Sequence, residues 1–87
     1  MGYMDTGPPP HRYDHRSHMP VIEVVLNEQQ LQMVCLNHYS ENIIVFGCTD
    51  DKVKGQCTIY LLPWSHIKAI RRHEIGHCNG WPADHPR

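Results

Sequence analysis

The 87-residue sequence predicts a small α+β domain of order β-α-β-β-α behind an extended arm. Three observations predict it. Residues 1–20 hold four of the seven prolines and show no apolar periodicity. From residue 21 onward, apolar runs of period two alternate with stretches of helical spacing. The last helical stretch is the longest and carries three of the eight histidines.

The elements follow in order. In the arm, Pro8, Pro9, Pro10 and Pro20 favour polyproline-like backbone, and the charges of Asp5, Arg12, Asp14 and Arg16 cancel. Residues 1–20 therefore read as a flexible, Pro- and His-rich arm, available to dock on a protein partner. Its His11, His15 and His18 would gather on one ion only if helical, which the neighbouring Pro and Asp oppose. Val21 to Leu26 is β-branched and apolar and reads as a strand buried on one or both faces. Asn27 and Gln30 form a capping-box-like pair in front of a short helix over about Glu28 to Leu36, with Leu31, Val34 and Cys35 on one face. Asn42 to Cys48 and Gln56 to Leu62 read as two strands joined by the polar TDDKVKG connection. Pro63 ends the last strand. Ser65 is placed to cap a final helix over about His66 to Asn79, and Gly80 supplies the left-handed residue that stops it. The sheet is expected to be small and mixed, with both helices on one side.

Composition bounds the function. About 67 residues remain once the arm is set aside, and a core of that size is marginal without a disulfide, a metal or a partner. Eight basic against nine acidic residues leave a formal charge of −1, without the excess that phosphate binding demands, so nucleic acid is not expected as a partner. No apolar run approaches the roughly 20 residues that cross a bilayer, so no membrane partner is expected. No basic start followed by an apolar stretch marks a secretory signal.

Chemistry concentrates in the final helix. His73-Glu74-Ile75-Gly76-His77 is an HExxH pattern. Positions i and i+4 lie about 40° apart on a helix and one turn along it, so both imidazoles can meet one cation. Glu74 stands about 100° round from His73, placed to reach a water on that cation and not to ligate beside both histidines. Gly80 turns the chain back, so the following WPADH segment can return a further ligand.

HEIGHCNGWPADH resembles the extended zinc-binding signature of zincin metallopeptidases, above all the forms in which a glycine turn precedes the third ligand. The preceding QCTIYLLP strand is similar to the edge-strand region of small HExxH proteins from bacteria and their phages. The resemblance implies a zincin-like domain over residues 21–87, with zinc ligands at His73 and His77 and Glu74 as catalytic acid/base. It departs from the metzincin pattern in two places. The third-ligand position falls on Ala83, which binds no metal, and all four Met precede the motif, so the methionine turn is missing. Two candidates remain, His85 as third ligand and Asp84 as its orienter or replacement.

The expected activity is zinc-dependent hydrolysis of a peptide or protein substrate. The alternative is a zinc-stabilised structural or interaction module without turnover, for instance a virion or assembly component docked through residues 1–20. Without a visible signal peptide, a cytoplasmic or virion-associated location is expected. Tyr60 is a candidate oxyanion donor, although a packing role is commoner. Thr58 to Leu62 is a candidate edge for an extended substrate. His66 lies about 10 Å along the helix from His73, too far to share its ion. Trp64 and Trp81 read as anchors at the two ends of that helix. Cys35, Cys48, Cys57 and Cys78 allow three pairings or none. Reduced, buried thiols are expected, with a Cys48–Cys57 bridge across the hairpin as the plausible exception.

Overall fold

Chain order runs β1 (Gly2–Tyr3), β2 (Val21–Val25), α1 (Glu28–Cys35), β3 (Ile43–Ile44), β4 (Gly47–Asp50), β5 (Cys57–Leu61) and α2 (Ile67–Cys78), with a 3-10 turn at His11–Tyr13. The structure is a computed structural model and describes residues 2–35, 43–64 and 66–87. The expected roles of Leu36, Asn42 and Ser65 lie outside the described residues.

The α+β class holds. β2 pairs in parallel with β5, and β4 pairs antiparallel with β5, giving a mixed sheet of order β2-β5-β4. The capping pair forms as the sequence requires: Gln30 N–H donates to Asn27 Oδ1 at 2.8 Å, and Asn27 N–H donates to Gln30 Oε1 at 3.1 Å. Two orphan amides at the start of α1 are thereby satisfied.

The strand expected over 42–48 is two pieces. β3 pairs with β1 in parallel, whereas β4 pairs with β5. Between them the backbone of Val45 and Phe46 is partly taken by side chains: Gln32 Nε2 donates to Val45 O, and Phe46 N–H points at Met4 Sδ. A second correction concerns the edge. β5, expected to offer a free edge to substrate, is the central strand with partners on both sides, and β2 and β4 are the outer strands.

The helices do not share a side. Alternation along β4 turns Thr49 toward α2, where its hydroxyl reaches Glu74, and turns Cys48 away toward α1, where it bonds Cys35. Two clusters result. Met4, Leu31, Cys35, Val45 and Cys48 pack on the α1 side; Cys57, Ile59, Leu61, Ile70 and Cys78 pack on the α2 side. Each cluster carries one disulfide, Cys35–Cys48 and Cys57–Cys78. Neither the expected free thiols nor the Cys48–Cys57 bridge is present. Cys48 and Cys57 belong to opposite faces of the sheet, so each bonds to the helix on its own face.

Residues 2–20, expected as part of a flexible arm, lie along the domain. Met4 is buried and its N–H donates to Ile44 O at 3.0 Å. Pro9 is buried against Gly76 of α2, where an added Cβ would stand 2.6 Å from the Pro9 ring. Asn79 Nδ2 donates to the carbonyls of Tyr13 and His15, and Arg72 pairs with Asp14. Proline supplies rigid backbone with few amides to satisfy, which suits a segment laid across a helix.

Candidate metal centre

α2 ends in a double hydrogen bond that sets the site. Gly80, at φ 100°, donates its N–H to His77 O at 3.0 Å, and Trp81 N–H donates to Gly76 O at 3.1 Å. This is a Schellman closure, for which a residue without Cβ is the natural choice. The chain then doubles back, and a turn closed by His85 N–H on Pro82 O brings His85 over the helix. His85 has φ 58°, a conformation that costs a non-glycine residue roughly 1–2 kcal/mol. The strain aims its ring at the helix.

Three imidazoles meet there. Nε2 of His73 lies 3.0 Å from Nε2 of His85 and 3.2 Å from Nε2 of His77, and the latter two are 3.2 Å apart. Asp84 is exposed and outside this group, so the returning segment delivers His85. Among the described residues this is the one cluster of its kind, and the tail histidines form none.

Hydrogen bonding on the far side of two rings fixes what their Nε2 atoms can be. His73 Nδ1 is 2.7 Å from Gly7 O, and His77 Nδ1 is 2.7 Å from Trp81 O. A carbonyl can only accept, so both Nδ1 atoms carry the proton and both neutral rings present an Nε2 lone pair. Burial, the largest influence, holds the His73 pKa down at about 4 and lowers that of His77, which disfavours a second proton on either ring. The lone pairs of His73 and His77, 3.2 Å apart, repel, and a donor or a cation placed between them relieves the repulsion. Nitrogens sharing one tetrahedral ion at about 2.0–2.1 Å stand roughly 3.3–3.4 Å apart, close to the observed triangle. The three histidines fit a metal ion.

Trp81 walls the group. Only 2% exposed, it stacks on His77 at 4.8 Å and meets His73 and His85 edge-on at 4.9 and 5.0 Å. It was expected only as a helix-end anchor, but it also packs on all three rings of the site.

Glu74 sits on the next face of the helix, fully buried. Its Oε1 is 2.9 Å from Thr49 Oγ1, whose single proton serves either this oxygen or Glu74 O at 3.0 Å, while Oε2 has no partner among the described residues. Burial pushes the carboxyl pKa up to about 8. Glu74 and His77 line a cleft of about 450 Å³ that also takes in Thr49, Asp50, Trp81 and Pro82. The outer strand β4 forms one wall of it. Tyr60 is not part of this cleft; it packs against the cluster on the α1 side, since alternation turns it there with Cys48. His66 is exposed against Trp64, which stacks on Phe46.

Sequence reasoning missed Gly7, Thr49 and the full role of Trp81. Trp81 had a signal, its place immediately after the Gly80 turn. Gly7 is 66 residues from His73, and no local pattern joins them.

Comparison of the chain with protein families, with characterised proteins and with solved structures finds no match to any of them.

Proposed function

We propose that this chain is a zinc-dependent hydrolase acting on peptide bonds, with His73, His77 and His85 as ligands and Glu74 as acid/base. One observation carries the reading: three imidazole nitrogens, two of them held as lone pairs by carbonyls on the far side of their rings, converge on the helix that carries a buried glutamate, and that glutamate lines a cleft with His77. Zinc suits three neutral imidazoles and, when bound, acidifies a water and polarises a carbonyl. The resemblance of HEIGHCNGWPADH to the zincin signature agrees with that choice.

The chain's own residues supply the rest. Thr49 lies against the Glu74 carboxyl and positions it, and that carboxylate takes a proton from attacking water and returns it to the leaving amine. A carboxyl raised by burial is a stronger base once ionised, and a neighbouring cation favours the ionised form. Trp81 keeps bulk water from the ligand side. The outer strand β4 has backbone groups free to pair with an extended peptide laid along the cleft.

A second reading is a zinc staple without turnover, a structural or assembly module. The full burial of Glu74 favours it, because a base must reach its water. In either reading the two disulfides fit an oxidising setting, such as a particle outside the cell, better than a reducing cytoplasm.

Glu74→Gln separates the readings. The hydrolase account expects wild type to cleave a fluorophore-labelled unfolded protein, and expects Glu74→Gln to retain zinc while losing at least about a hundredfold in rate. A wild type that binds zinc and cleaves nothing supports the staple.

A further inference from the structure

The segment before the domain makes a contact that the ligand set does not explain. Gly7 O is the acceptor for His73 Nδ1, and Gly7 is itself held from both sides. Its N–H donates to Asp5 Oδ1 at 2.8 Å. Arg87 Nη2 donates to Asp5 Oδ2 at 3.1 Å, and Arg87 Nη1 donates to Pro8 O at 2.7 Å. One guanidinium thus grips the residues two before and one after Gly7. It also lies over Trp81, 5.3 Å from the ring centre, and Trp81 Nε1 donates to Pro86 O next door.

We propose that residues 5–9 are a clasp belonging to the metal centre, locked by Arg87, so that clasp closure and zinc binding strengthen one another. The inference rests on the zinc reading above. His73 can ligate through Nε2 only while Nδ1 keeps its proton, and the Gly7 carbonyl is the group that keeps it there. Without that acceptor the ring is free to change tautomer and to rotate. Arg87 stands two residues beyond His85, so the side chain that grips the neighbours of Gly7 also anchors the segment that delivers His85. Orientation of the first ligand and delivery of the third are tied through a single residue. Met4 in the core and Pro9 against Gly76 fix the two ends of the clasp.

Linkage makes the coupling reciprocal: whatever factor the clasp adds to zinc affinity, zinc adds to clasp closure. The test uses full-length wild type, Arg87→Ala and Arg87→Lys, with zinc affinity read by competition against a chromophoric chelator. Arg87→Ala is expected to weaken zinc about three- to tenfold, within the range for exposed charge contacts and ligand-orienting partners. Arg87→Lys keeps the charge and loses the fork, and is expected to fall between. Zinc is expected to slow exchange of the Gly7 amide in wild type and to do so less in Arg87→Ala. A change in affinity below twofold, or a lower melting temperature of the zinc-free variant with affinity intact, overturns the clasp and leaves the zinc reading standing. A wild type that takes up no zinc overturns both.

Discussion

Histidine nitrogens show how much a backbone acceptor can decide. His73 and His77 each give a proton to a carbonyl, and this leaves lone pairs on the inner face of the site. That His73 and His77 share one face of a helix was legible from their spacing alone. The choice between Asp84 and His85 was not, because it depends on a turn closed on Pro82 and on a left-handed backbone at His85, neither of which has a strong sequence signal. Substitution tests the outcome. By isothermal titration with zinc, His85→Ala is expected to lose at least about a hundredfold in affinity, and Asp84→Ala is expected to stay within about twofold of wild type, since it removes an exposed side chain outside the group.

Elements were read best where a local device specifies them. The Asn27–Gln30 box, the β-branched run at Val21–Val25 and the glycine stop at Gly80 all act within a few residues, although that run is an outer strand with Ile22 and Val25 exposed where a buried strand was expected. Misreadings arose where partners are distant. The strand expected over 42–48 splits because β1, two residues long, claims its first half. The sidedness of the helices depends on which face of β4 and β5 each cysteine occupies. That sidedness has a stability consequence. The Cys57–Cys78 bridge spans 21 residues and ties the end of α2, next to His77, to the central strand. Replacing both cysteines by serine is expected to cost about 3 kcal/mol in a urea titration, from loop-closure entropy restored to the unfolded chain. A loss below about 1 kcal/mol would show that the bridge does not hold the helix.

At the scale of the whole molecule, the small size foreseen from the sequence explains why so many fasteners are present. The sheet separates two modest clusters, each fastened by a disulfide, and residues 2–20 bind across α2 where a detached arm was expected. Nothing in the proline-rich composition distinguishes a free arm from one laid on a helix; the difference is made by Met4, Gly7 and Pro9 finding partners far along the chain. The metal centre lies where these pieces converge, on α2, with the returning 82–87 segment above it and the 5–9 segment alongside. A metal ion bound there would add to the stability of all three, because affinity for the folded state alone is folding free energy.

The most direct test is zinc K-edge X-ray absorption on protein loaded with one equivalent and dialysed. The account predicts one zinc retained per chain, with three imidazole nitrogens at about 2.0–2.1 Å and one lighter scatterer completing the shell. Failure to retain zinc, or a shell with sulfur neighbours or fewer than three imidazoles, would contradict it.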